Sequence, residues 1–198
     1  MAIIVDKEKK RREIALASRE LLLQIGIKNI TVSEISKVAG VGKGTIYEYF
    51  SNKEDIVFEI ISVYMDEHTK FLLEISDSNE DIKEKLKSFM LLLFDSEDSE
   101  QELRIYREFI AISLALRDEE MSKFANSCKL RISGILRDML QHHVQRGDMP
   151  LVSLEFVDFI LYFLKGVVVE QGMTQIDAKQ EVIRFIESWF ALIKAGER

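Results

Sequence analysis

The chain has 198 residues, 47% hydrophobic and 31% charged, which supplies a packed core and excludes disordered or collagen-like polypeptides. One proline and nine glycines are too few for a turn-dense β fold, and a single cysteine, Cys128, excludes an internal disulfide framework and multi-cysteine metal sites. The net charge of −7 is unevenly spread: residues 1–55 hold ten Lys/Arg and eight Asp/Glu, a net of +2, and the remainder holds 17 and 26, a net of −9. Any contact with nucleic acid therefore belongs to the N-terminal end.

In chain order, an apolar start (Ile3, Ile4, Val5) precedes the cationic run 7–12, the reverse of a secretory signal. The longest apolar runs, 89–94 and 159–164, are six residues each, against about 20 for a bilayer span. A cytoplasmic protein without a membrane partner is expected. Ile14, Ala17, Leu21, Leu22 and Ile25 share one face of a first helix that ends at Gly26. A helix of about eight residues follows Thr31 and stops at Gly40, and a second short one spans roughly 43–50. Thr31 and Glu34, Ser51 and Glu54, Ser99 and Glu102, and Thr174 and Asp177 stand three apart, the spacing of a capping box, so each pair is read as a helix start. Ser51 then opens a long helix carrying Ile56, Ile60, Ile61, Tyr64, Met65, Phe71 and Leu72 at helical spacing. Polar stretches at 76–81 and 95–100 read as connectors between helices near 80–94, 100–117 and 119–146. A break at 146–150 precedes two further helices, near 153–171 and 175–195. No segment alternates as a strand does, and no repeat of fixed period is present. The expected architecture is all-α, with about nine helices in a small N-terminal and a larger C-terminal domain.

Residues 31–50 carry the clearest functional signal. Two short helices joined by a glycine-containing turn, with Ile35, Val38, Ala39, Ile46 and Phe50 spaced to pack them, form a helix-turn-helix whose second helix enters the DNA major groove. Ile46 and Phe50 face inward, while Lys43 and Tyr47 share an outward face, with Thr45 and Tyr49 at its margin. Gly44 permits close backbone approach. A lysine offers a cation to phosphate or guanine, and a tyrosine hydroxyl can bond phosphate.

The segment resembles the DNA-binding domain of the tetracycline-repressor (TetR) family of bacterial transcriptional regulators. The matching features are Ile25-Gly26 ending the first helix, then Thr31, Ala39-Gly40-Val41, Lys43-Gly44, Ile46-Tyr47, Tyr49-Phe50 and the stretch 51–54, over about residues 8–68. The resemblance implies a DNA-binding domain at 1–52, with the helix-turn-helix at 31–50, and a ligand-binding and dimerisation domain at 53–198. It further implies a homodimer, commonly a repressor, that reads a palindromic double-stranded operator and leaves it when a small molecule binds. Carried over by position, Thr31 and Lys53 contact phosphate, and Lys43, Gly44, Thr45, Tyr47 and Tyr49 form the recognition surface. Two residues depart from the pattern. Gly42 stands where the family often has a serine N-cap, which glycine replaces acceptably. Glu48 stands where the family has a non-acidic residue; of its two options, accepting from a cytosine amino group or turning away from the phosphates, turning away is the preferred reading.

Other motifs fail. The glycines at 40, 42 and 44 lack the spacing of a phosphate loop or a dinucleotide fingerprint. His142 and His143, adjacent on a helix, point about 100° apart and do not share a metal, and they and His68 read as solvated or core-edge residues. Cys128 reads as a small buried hydrophobe. No catalytic constellation stands out, so neither an enzyme nor a cofactor is expected. The helix near 153–171 is apolar over most of its circumference and must bury a second face, in a monomeric core or a symmetric dimer. The dimer is preferred because a two-fold DNA site needs two linked recognition helices, and Phe156, Phe163, Val167, Phe185 and Trp189 are the expected interface. Expected pocket residues are Met65, Phe89, Met90, Phe109, Ile112, Phe124, Cys128 and Tyr162, suited to an apolar or amphipathic effector. The rival function is a helical small-molecule carrier or protein-interaction module without operator binding.

Overall fold

The computed structural model describes residues 6–95, 99–116 and 119–196. These form nine α-helices and no strand: α1 Lys7–Asn29, α2 Val32–Val38, α3 Lys43–Tyr49, α4 Lys53–Asp77, α5 Ile82–Asp95, α6 Ser99–Leu116, α7 Glu119–Arg146, α8 Phe156–Thr174 and α9 Ala178–Gly196, with a 3-10 turn over Leu151–Glu155. They gather into two compact units, one of residues 6–67 with 104–116 and the other of 68–95, 99–103 and 119–196. α4 and α6 each contribute to both.

In the first unit α1 packs against α2 and α3. Its buried strip is Ile14, Ala15, Ser18, Leu22 and Leu23, and Ala17 is exposed. The expected stripe was set about one residue off because α1 buries a broader face than a single stripe. Ser18 satisfies its hydroxyl on the Ile14 carbonyl at 2.8 Å, so it sits in the core without an unmade bond.

α1 does not end at Gly26. Its helical geometry breaks there (φ 81°, ψ 169°), and a further turn continues to Asn29. The break would strand backbone groups on both sides, and two α6 side chains, four apart, take them up. Arg104 donates to the carbonyls of Leu23 and Gln24, and the Glu108 carboxylate accepts from the amides of Ile27 at 2.7 Å and Lys28 at 3.4 Å.

Two expected caps move. α4 is capped by Asn52, whose Oδ1 accepts from the Asp55 amide at 2.7 Å, while Asp55 accepts from the Ser51 amide at 3.0 Å. Thr174 closes α8 rather than opening α9; Asp177 is the cap, accepting from the Gln180 amide at 3.1 Å. Ser99 already lies within α6, and part of the connector expected at 95–100 falls outside the described residues.

The second unit is built on the packing of α5 against α9 and of α7 against α8. Its core holds Leu86, Met90, Leu136, Leu140, Val157, Ile160, Val168, Val182 and Ile186. Lys85 is buried with its ammonium on the Ser76 carbonyl at 2.6 Å. His143 is buried and His142 exposed. The His143 Nδ1 lies 3.1 Å from Asp148 Oδ2, and burial pushes its imidazole below the ordinary range. No described helix is long and apolar enough to cross a membrane.

Candidate nucleic-acid interface

The helix-turn-helix is fixed by local chemistry at each end. Thr31 forms the expected capping box: the Glu34 amide donates to its Oγ1 at 3.3 Å, and the Glu34 carboxylate accepts from the Thr31 amide at 3.0 Å and hydroxyl at 2.7 Å. α2 ends in a Schellman motif, with the Val41 amide on the Ser36 carbonyl (3.0 Å) and the Gly40 amide on the Lys37 carbonyl (3.3 Å). That closure requires the left-handed φ of +66° that Gly40 adopts. Gly42 then caps α3 through its backbone alone.

Ile35, Ile46 and Phe50 are buried as the spacing predicts, whereas Val38 is 46% exposed; the packing side of α2 runs through Ser36 and Ala39 instead. On α3 Lys43, Gly44 and Tyr47 are exposed, and Thr45 and Tyr49 are half-buried. Thr31, Lys43, Gly44, Thr45, Tyr47 and Tyr49 thus lie on one short helix-turn-helix. Lys53 differs: its ammonium rests on the carbonyls of Ile27 (3.2 Å) and Lys28 (3.5 Å), at the end of α1. A cation at a helix C-terminus is favourable by the macrodipole.

Sequence reasoning missed Arg11, which sets the position of α3. Its guanidinium donates to the Tyr49 carbonyl (2.6 Å), Asp55 (2.7 Å) and Glu59 (3.1 Å), and lies 4.4 Å from the Phe50 ring centroid. One side chain of α1 therefore holds the last carbonyl of α3 and the first turns of α4. The guanidinium holds the Asp55 carboxyl below the usual carboxylate range, and Asp55 in turn raises the Arg11 pKa. The signal for Arg11 was its spacing: it stands three, four and seven residues before Ile14, Ala15 and Ser18, on the buried strip. Arg12 pairs with Asp66 and Arg19 with Glu67 (3.0 Å). Much of the basic character of the first helix is thus internal, and the cations of Lys37 and Lys43 stay exposed without an ion pair among the described residues.

The remaining predicted residues are scattered. Phe109 is buried and Met65 and Ile112 half-buried in the first unit; Phe89 and Met90 are buried in the second, where Phe124 and Cys128 are half-buried. Burial pushes the Cys128 thiol up. Tyr162 is 52% exposed, its hydroxyl 3.1 Å from the Lys129 ammonium, which also pairs with Asp158 at 2.9 Å. A polar cavity of about 960 Å³ in the second unit, lined by the 76–81 connector, Lys85, His143 and Arg146, contains none of these eight. Of the residues expected at a dimer interface, Phe163 stacks on Phe185 (4.4 Å between centroids) and Phe156 on Trp189 (5.0 Å) within the protomer, and Val167 is buried. Phe156, Phe185 and Trp189, with Pro150, Val152 and Leu192, line an apolar groove of about 450 Å³. Leu192 is 72% exposed, and Phe159, 61% exposed, lies edge-on to Phe156 at 6.1 Å. No group of three or more His, Cys, Asp or Glu among the described residues is placed to hold a metal ion.

A capped helix-turn-helix braced by α1 and α4, on an otherwise helical chain, defines a DNA-binding regulator of transcription. The family model for bacterial regulatory proteins of the tetR family matches residues 14–60. The chain is 43% identical over 79 residues to the fatty acid metabolism regulator protein of Bacillus subtilis, a stretch that covers 40% of this chain and 38% of that protein. It is 24% identical over 153 residues to the uncharacterized HTH-type transcriptional regulator YhgD of the same organism, covering 77% of this chain and 78% of that one. The crystal structure of the regulator FadR from Bacillus subtilis in complex with stearoyl-CoA superposes with a TM-score of 0.64 at 25% identity, covering 88% of this chain and 95% of that chain. Residues 14–60 thus carry the DNA-binding segment of the TetR family of transcriptional regulators, and most of the chain is similar to an HTH-type regulator.

Proposed function

We propose that the protein is a cytoplasmic repressor, not an enzyme, that binds a palindromic operator as a homodimer and is released by a small amphipathic ligand. The observation that carries this reading is the exposed edge of α3, where Lys43, Gly44 and Tyr47 stand clear on a helix whose last carbonyl is held by Arg11. Thr31, Thr45 and Tyr49 complete the proposed DNA surface. Lys53 reaches phosphate by leaving the carbonyls at the end of α1. The division into a DNA-binding segment 1–52 and an effector and dimerisation segment 53–198 belongs to the same proposal.

Dimerisation through α8 and α9 is supported by the aromatic groove and by Phe159 and Leu192, which stay exposed in the protomer. A symmetric contact there would hold two recognition helices about 34–36 Å apart, one DNA turn. The ligand class to test first is a long-chain acyl thioester, because a related regulator has been crystallised with stearoyl-CoA. Such a ligand shifts the protein off DNA only by its differential affinity for the two states.

The test is fluorescence anisotropy on DNA from immediately upstream of the gene, against scrambled DNA, at two salt concentrations. Tight, salt-sensitive binding that prefers the native fragment and is reversed by stearoyl-CoA is the expected result, with its affinity lowered about tenfold or more by Tyr47→Ala. Equal weak binding to both fragments would turn the reading towards a helical carrier. Retained affinity in Tyr47→Ala would remove that residue from the surface.

A further inference from the structure

The arrangement of side chains around α3 gives Glu48 a role that its charge alone argued against. Ile46 and Phe50 are both buried, at 0% and 2% exposure, and define the inward direction of the helix. Glu48 stands two residues from each, and at about 100° per residue this sets it roughly opposite their mean direction. Tyr47 and Tyr49 fall on its two sides. One turn earlier on the same ridge is Gly44, where an added Cβ would meet nothing within 4 Å. Glu48 is exposed and takes no hydrogen bond or ion pair among the described residues. The outermost side chain of the helix is therefore a carboxylate, with a phenol on either flank and open space before it.

A carboxylate is an acceptor only, and against a phosphate it is repelled. In a docked helix the flanks meet the two backbones and the outermost ridge meets the groove floor. The floor presents two kinds of donor, the N4 amino group of cytosine and the N6 amino group of adenine. Beside the adenine amino group lies the acceptor N7, which repels the second carboxylate oxygen; beside that of cytosine lies only a C–H. We propose that Glu48 reads a cytosine in each operator half-site by accepting a hydrogen bond from its N4 amino group. The two tyrosines flanking it are left to the phosphates. The same carboxylate disfavours guanine and thymine at that position, whose floor atoms are acceptors, so it contributes by exclusion as well as attraction.

This inference rests on the DNA-binding reading, and one experiment separates the two. The full chain, Glu48→Gln and Glu48→Ala are each used to select duplexes from a randomised library, and the selected sites are then measured singly. The unaltered protein is expected to enrich a half-site with one fixed cytosine, whose replacement by thymine weakens binding about tenfold. Glu48→Ala should lose the discrimination at that position alone. Glu48→Gln, whose carboxamide both donates and accepts, should move the preference to adenine. Circular dichroism melting of both variants should match the parent, since the side chain is exposed. Identical base preferences at every position in all three proteins would overturn the proposal while leaving operator binding intact. A parent protein that enriches no sequence overturns the DNA-binding reading, and this inference with it.

Discussion

Replacing Gly26 with alanine tests whether the break in α1 is a built junction held by α6. The backbone there, at φ 81° and ψ 169°, lies in a region populated almost solely by glycine, and holding alanine in it costs about 1–3 kcal/mol. A Cβ would stand 2.6 Å and 2.8 Å from the two Glu108 carboxylate oxygens. That carboxylate ends a flexible side chain and can withdraw, but in withdrawing it leaves the Ile27 amide, to which it is bonded at 2.7 Å. Loss of a hydrogen bond to a charged group adds about 1.5–3 kcal/mol. Gly26→Ala should therefore destabilise the protein by about 2.5–6 kcal/mol, measured as the fall in unfolding free energy in urea. Glu108→Ala alone removes the bond without straining the backbone. In the double variant no carboxylate remains to be displaced, so the combined loss should be smaller than the two single losses added together. A Gly26→Ala cost below about 1 kcal/mol, or strict additivity, would refute the account of the junction.

Arg11→Ala should cost about 1–3 kcal/mol, because it leaves Asp55, Glu59 and the Tyr49 carbonyl without their shared donor. The folded-state pKa of Asp55 lies below its ordinary 3.8, so its contribution is complete above that value and disappears as pH falls through the folded one. Urea titrations along the acid limb should show this loss in the parent and a shallower one in Arg11→Ala; equal slopes would dissociate the pair. Lys53→Ala removes a cation from the end of α1, a change of about 0.3–1 kcal/mol, and should lower the salt slope of operator binding by about 1. An unchanged slope would take Lys53 out of the interface. Phe159→Glu places a charge on an apolar face that is 61% exposed in the protomer. Helical content should hold while sedimentation reports monomers, and an undiminished dimer would place the interface elsewhere.

The helix-turn-helix is legible in the sequence because it is made of local rules. The capping box at Thr31, the left-handed glycine at Gly40 and the four-residue spacing of Ile46 and Phe50 act over a few residues and need no distant partner. Where local rules overlap, reading fails by small steps. Ser51 and Asn52 are both good caps with acidic residues three further on, and the structure uses Asn52; Thr174 and Asp177 compete in the same way. Ala17 and Val38 keep the apolar spacing yet stay exposed, because the buried faces of their helices are set by two neighbours and not by a single stripe. Non-local features are harder to read. That the Lys53 ammonium sits on α1, and that Arg104 and Glu108 serve the break at Gly26, depend on residues 25 to 81 positions apart, for which one sequence holds no signal. The scatter of the expected pocket residues has the same cause: methionine and phenylalanine mark apolar space without saying whether it is filled.

The recognition helix carries one cation, Lys43, and one anion, Glu48, so α3 is electrically neutral. With only a few cations at the proposed DNA surface, Lys43 and Lys53 among them, the counterion release that would hold the protein on random DNA is small. On the proposed DNA-binding reading, and attached to a chain of net charge −7, such a helix would let go quickly of sequences it does not fit. Time lost on the rest of the chromosome would then be short, and occupancy of a true site would rest on contacts that depend on its bases. On the proposed operator-binding reading, a protein released from its site would return to free solution instead of lingering along the neighbouring duplex, so the response would be limited by unbinding from one site.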